Sequence, residues 1–253
     1  MKYAKFKQPL LRGTVAALAL CVSGTGWAQE SNEDADSGEI IVTATKRAES
    51  LQDVPVSISA VTGDALSKSR VTQADELVTK VPNLQLTSTV GDNTPIFALR
   101  GVSMSDYSLN QASPVATYYD EVYKGNFAFL GVAMYDLERV EVLRGPQGTL
   151  YGKNTTGGAV NLISKAPELG EVNGYANVGY GNYNRIDLNG AVNLPLGDMA
   201  ALRVAGTFAK ADGWFKNVLP GQPDLASTSE YGVRASLLLE PADGVKFVLR
   251  GST

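Results

Sequence analysis

Leu137-Glu138-Arg139-Val140-Glu141-Val142-Leu143-Arg144-Gly145-Pro146-Gln147-Gly148-Thr149-Leu150-Tyr151-Gly152 joins an extended segment directly to a turn. Side chains alternate along a strand, so Val140 and Val142 share one face and Glu141 takes the other. Gly145-Pro146 and Gly148 suit a sharp turn, because glycine tolerates φ > 0 and proline fixes φ. Gly157 to Ile163 reads as a further turn and strand. Upstream, a compact mixed domain begins at Leu51. Val56, Ile58 and Ala60 alternate with Ser57 and Ser59, as in a short strand. Thr72 with Asp75 marks a helix start, Ala74, Leu77 and Val78 share the helix's apolar face, and Pro82 lies beyond its end. Leu84 to Thr89, Ile96 to Arg100 and Val115 to Tyr123 read as strands. Pro167 and Gly170 close the domain.

From Gly174 the pattern changes to segments with a period of two. Ile186, Leu188, Gly190, Val192 and Leu194 alternate with Arg185, Asp187, Asn189, Ala191 and Asn193. Leu202, Val204, Gly206 and Phe208 form the apolar side of the next segment. Tyr231, Val233, Ala235, Leu237 and Leu239, then Val245, Phe247 and Leu249, repeat it. Each stretch is roughly 10 residues, the length of a tilted membrane strand. The links also alternate: Pro195 to Met199 is short, Lys210 to Glu230 is long and rich in Gly, Pro and Asp, and Pro241 to Gly244 is short. Short periplasmic turns and long outer loops are the pattern of an outer-membrane barrel. The short link at Gly181-Asn182 breaks that pattern. A soluble antiparallel sandwich alternates in the same way, so the strands alone leave both readings open.

Before the mixed domain the chain is a set of address and tether signals. Lys2, Lys5, Lys7 and Arg12 precede a short apolar run, Thr14 to Val22, and Gly26-Trp27-Ala28 supplies small residues for cleavage after Ala28. Residues 1–28 therefore read as a secretory signal peptide, with a membrane anchor or a lipoprotein on Cys21 as alternatives. Its removal takes four positive charges and no negative ones, moving the formal charge from −4 to −8. An acidic chain has no general attraction to nucleic acid. Histidine is absent and Cys21 is the single cysteine. The mature chain is therefore expected to hold no His-based catalytic group, no disulfide and no metal site. No paired carboxylates stand out as an acid/base site, and no cofactor is expected. Residues 29–50 read as a tether, polar and acidic from Gln29 to Glu39. Within it, Glu39-Ile40-Ile41-Val42-Thr43-Ala44-Thr45 carries a β-branched island.

The long run Leu137 to Gly152, continued by Gly157-Gly158-Ala159-Val160-Asn161, is similar to the plug of TonB-dependent outer-membrane receptors. Leu51-Gln52-Asp53-Val54-Pro55-Val56-Ser57-Ile58 and Leu99-Arg100-Gly101 resemble the same family. Residues 39–45 look like its TonB box, and lie where one belongs. The resemblance implies an α+β plug domain (51–168) followed by the first antiparallel strands of a large transmembrane β-barrel (169–253). It implies TonB as partner at Glu39 to Thr45, and plug–barrel ion pairs from Arg100, Glu138, Arg139, Glu141 and Arg144, with ordinary surface charge as the other reading. Tyr118, Tyr119, Tyr123 and Phe127 are candidate ligand contacts, with packing inside the barrel as the alternative. The implied activity is uptake of a scarce ligand across the outer membrane of a Gram-negative bacterium, with an iron–siderophore complex as the family default and the tether in the periplasm. A soluble plug-like interaction module and a non-functional fragment are the alternatives.

Two further expectations follow. Gly152-Lys153 is not a phosphate-binding loop, because Gln147 and Asn154 stand where glycine and Ser or Thr are needed. A barrel of about 22 strands needs roughly 220 strand residues. Fewer than half that number follow Glu171, so the 253 residues are expected to form an incomplete barrel that does not transport alone.

Overall fold

The computed structural model describes residues 39–87, 96–105, 108, 110–126, 134–219 and 221–253. The signal-peptide expectation, the first part of the tether, Phe127 and the end of the Leu84 to Thr89 strand lie outside them.

The first half is a mixed domain. Strands β1 (Ile41–Val42) and β2 (Glu49–Ser50) pair antiparallel ahead of β3 (Ile58–Thr62). Two short helices follow, α1 (Gly63–Lys68) and α2 (Ala74–Leu77), then β4 (Leu84–Thr87), β5 (Ile96–Leu99), β6 (Val115–Tyr119) and β7 (Val122–Lys124). The decisive run forms β8 (Leu137–Arg144), one turn of helix α3 (Gly148–Tyr151) and β9 (Gly158–Ser164). The main sheet has the order β3-β8-β9-β6-β7, with only β9 and β6 parallel.

Three local features differ from the expected elements. Helix α1 is capped by Thr62, whose hydroxyl accepts from the Ala65 N–H at 3.2 Å, a short signal inside a β-rich segment. Helix α2 starts at Ala74, and its acidic partner is Glu76: Oε2 accepts from the N–H groups of Thr72 (2.6 Å) and Gln73 (3.2 Å). The stretch 115–123 is two strands, because Asp120 and Glu121 adopt positive φ (47° and 68°) and reverse the chain. A primed hairpin turn needs two such residues, and Asp tolerates that region. Ser164 holds the turn, donating from N–H and Oγ to the Asp120 carboxylate at 2.9 and 2.5 Å.

Each face of the main sheet has its own core. One face buries Val115, Val140, Val142, Val160 and Leu162 beneath α1, α2, Leu84 and Phe97. The other buries Ala116, Tyr118, Leu143 and Ala159 with Val42, Ala44, Val54 and Tyr151. A bulge between Leu137 and Arg139 shifts the register on β9 by one residue. The shift returns Leu137 to the face of Val140 and Val142, as an inserted residue must.

The second half is a five-stranded antiparallel meander: β10 (Asn173–Gly181), β11 (Arg185–Pro195), β12 (Ala200–Ala211), β13 (Thr228–Ala242) and β14 (Val245–Ser252). The even residues of β10, β11 and β12 share a face with the odd residues of β13 and β14, as Leu188↔Phe208↔Tyr231 shows. That face is apolar and open: Val178 is 79% and Tyr180 77% exposed, with Phe208, Tyr231, Val233, Phe247 and Leu249 beside them. The opposite face is covered where it meets the mixed domain, and it buries Asn193, Arg203, Arg234 and Ser236. A soluble sandwich buries its apolar face. This sheet is inside out, as the wall of a membrane barrel is.

Candidate functional site

Two sets of polar contacts give the mixed domain its functional geometry. The first holds residues 39–46 against the domain. Ile41 and Val42 pair with Ser50 and Glu49, and the Leu51 N–H donates to the Ile40 carbonyl at 2.8 Å. Val42 and Ala44 are 0% exposed, while Ile41 faces outward. The expected free tether is thus folded back along this part, because its alternate small apolar side chains fit the core beneath. Glu141, also 0% exposed, supplies the polar fastening. Its Oε1 accepts from the Thr43 N–H (2.7 Å), the Thr43 hydroxyl (3.2 Å) and Arg139 Nε (2.8 Å). Arg139 also donates to the Thr43 hydroxyl at 3.2 Å.

The chain turns at Lys46 (φ 63°). The Lys46 ammonium lies 4.6 Å from the Tyr151 ring centre and 3.9 Å from Glu121 Oε2. Burial pushes the Tyr151 phenol up to about 12, against the opposing hydrogen bond from Asn161. The face of the aromatic ring attracts a cation at this distance. Glu141 Oε2, Asn161 Oδ1 and the Thr45 hydroxyl are buried without partners among the described residues.

The second set joins the mixed domain to the meander. Asp136, at the entry to β8, receives Arg203 from β12 in a fork: Nη2 to Oδ1 at 2.6 Å and Nε to Oδ2 at 2.9 Å. Arg234 from β13 lies 3.5 Å from the same carboxylate and donates to the carbonyls of Tyr135 (3.1 Å) and Asp136 (2.8 Å). The Arg234 guanidinium also stacks on Tyr135, 4.8 Å from the ring centre, and donates to the Tyr119 hydroxyl. Burial pushes the Tyr119 phenol up to about 12, against the opposing pull of Arg234. Tyr135 itself packs on Ala191 and Ala205, and a Cβ at Gly232 would approach its ring to 3.1 Å. Arg250 reaches Asp120 at 3.7 Å, and Gln73 donates to Glu230 at 3.2 Å.

The expected site residues fall as follows. Residues 39–45 lie together on the Glu141 face. Arg100 donates to Ser57, Arg144 to Ser59, and Arg139 bonds both Glu138 and Glu141. The contacts described for these five charges lie inside the mixed domain, and the bonds described to the meander come from Gln73, Tyr119, Asp120, Tyr135, Asp136 and Glu168. The Tyr118 hydroxyl donates to the Tyr151 carbonyl at 2.6 Å, and the Tyr123 hydroxyl accepts from Asn154 at 2.8 Å. With Tyr119 held by Arg234, all three tyrosine hydroxyls have internal partners. Among the described residues no group of three or more His, Cys, Asp or Glu is placed to hold a metal.

Residues 50–159 match the model of the TonB-dependent Receptor Plug Domain. The pesticin receptor of Yersinia pestis is 31% identical over 222 residues, which is 85% of this chain and 32% of that receptor. The ferric yersiniabactin uptake receptor of Yersinia pestis is similar in structure, with a TM-score of 0.71 at 29% identity over 78% of this chain and 31% of that one. The pyoverdine outer membrane receptor of Pseudomonas aeruginosa PAO1 shares the fold, with a TM-score of 0.69 at 19% identity over 86% of this chain and 30% of that one. The chain spans about a third of the length of the pesticin receptor. Its relatives are transport receptors rather than enzymes, and some are named for the outer membrane. With its plug domain, the antiparallel strands behind it and homology to siderophore receptors across both, the chain belongs to the TonB-dependent receptor family.

Proposed function

We propose that this chain is the gated front of an outer-membrane receptor for active uptake of a scarce ligand, with an iron–siderophore complex as the ligand class. The observation that carries the reading is a polar-faced plug domain seated on the polar side of a sheet whose other side is apolar and open. That arrangement suits a lumen filled by protein and a wall facing lipid. The soluble-module alternative would leave the apolar side of β10–β14 in water, at odds with the size of patch that soluble proteins expose. The ligand class rests on the relatives, whose names include pesticin and ferric yersiniabactin receptors.

The physical problem for such a receptor is occlusion. A barrel of about 22 strands has a lumen that its plug must block and then open. The outer membrane carries no ion gradient or ATP, so the work has to come from TonB, anchored in the inner membrane. Residues 39–45 are the proposed contact, pairing with a TonB strand by β-augmentation from the periplasmic side. Ligand binding outside shifts the plug ensemble and frees that segment. A Val42→Pro substitution removes a backbone donor within it. Uptake of labelled ferric siderophore by the complete receptor is expected to fail while cell-surface binding of the same ligand persists. Normal uptake by that variant would sink the coupling role.

A further inference from the structure

We infer that Glu141 is the latch that keeps Ile40 to Thr45 folded onto the plug, with Lys46 as a second fastening. The inference rests on the coupling reading above and names what that segment must break before it is free. A strand-adding partner needs unpaired backbone groups. Here one edge is laddered to β2 at Ile41 and Val42, with the Ile40 carbonyl taken by Leu51, and on the other edge the Thr43 N–H is taken by Glu141 and the Thr43 carbonyl by the Lys46 N–H. The ladder itself pairs two residues of each strand, and an isolated two-stranded pair is marginal. The segment is therefore held by what lies beneath it, and the charged contacts beneath it are the Glu141 carboxylate and the Arg139 guanidinium bound to it.

Three details make Glu141 a latch rather than ordinary packing. It accepts a main-chain N–H with a full negative charge, the stronger kind of hydrogen bond. It sits on β8, between β3 and β9 in the sheet, so the segment is fastened to the interior of the plug rather than to an edge. Its Oε1 also binds Arg139. When Thr43 leaves, the carboxylate keeps a cationic partner, so release does not strand a buried charge. Lys46, over Tyr151 and near Glu121, fastens the turn that follows.

The test uses the complete receptor in outer-membrane preparations. Val42→Cys reports the docked segment, and Ala159→Cys reports the core beneath it. Both parent side chains are 0% exposed. Maleimide labelling rates are corrected with a receptor lacking the added cysteine. Glu141→Gln and Glu141→Ala are each expected to speed Val42→Cys labelling about tenfold or more, as loss of a charged hydrogen bond implies, and to leave Ala159→Cys slow. Lys46→Ala is expected to speed it by a smaller factor. Unchanged labelling at position 42 in both Glu141 variants would overturn the latch. Equal acceleration at 42 and 159 would also overturn it, because Glu141 would then simply hold the core together. Binding of the periplasmic domain of TonB to the same preparations separates the two ideas. Fast labelling at position 42 with no gain in TonB binding keeps the latch and removes the coupling role.

Discussion

Asp136 is the residue on which the seat of the plug depends. Its side chain is 1% exposed and meets two arginines from neighbouring strands of the wall. Neutralising one member of a buried charge cluster leaves the others unpaired, at a cost of about 3–5 kcal/mol. Asp136→Asn is expected to lower the unfolding free energy of the plug in the complete receptor by that order, read as a lower midpoint in denaturant titration or as greater protease sensitivity. An unchanged midpoint would show that the fork carries little weight. Nothing local in Tyr135-Asp136-Leu137 marks this role. A legible signal lay elsewhere: Arg203 and Arg234 stand at polar-face positions of alternating strands, and a buried arginine needs a carboxylate. Its identity could not be read, because Asp136 is 67 and 98 residues away from those partners in sequence.

Among the elements, the junction of β8 and β9 leaves no room for a side chain at Gly158. Gly158 has φ 144°, and a Cβ there would meet the Leu143 carbonyl oxygen at 2.3 Å and Leu99 Cδ1 at 2.7 Å. Gly158→Ala therefore combines backbone strain with overpacking between paired strands. A loss of about 1–3 kcal/mol in plug stability is expected, before any rearrangement. Thermal unfolding that matches the parent would mean that β9 shifts freely past β8. The long run was legible because its strand, turn and strand are local. Strand β1 was legible as a β-branched island, but its pairing was not. The partners Glu49 and Ser50 have no strand character, and docking depends on a cavity formed by β6, β8 and β9 together.

At the scale of the whole molecule, the two faces of the wall should respond oppositely to charge. Leu188 is on the open apolar face of β11 and Asn189 is on the other. In the complete receptor, Leu188→Arg is expected to reduce barrel stability by about 2–4 kcal/mol if the site lies near the bilayer midplane. Asn189→Arg is expected to be close to neutral. Heat-modifiable migration and fractionation of the two variants check this. Equal tolerance of both would argue that the open face does not meet lipid.

The amino-acid sequence by itself determined the period of each strand, the turn after Arg144, the succession of short and long links, and the family through the Leu137 to Asn161 run. These are local properties, written in residues within a few positions of one another. Only the tertiary structure decided which face of the meander is covered, since a period of two is the same for a sandwich and a barrel. It alone decided that Asp136 and Asp120 bond to the wall and that Glu141 turns back to Thr43. Such pairings depend on which distant residues the fold brings within 3 or 4 Å, and no local pattern records that.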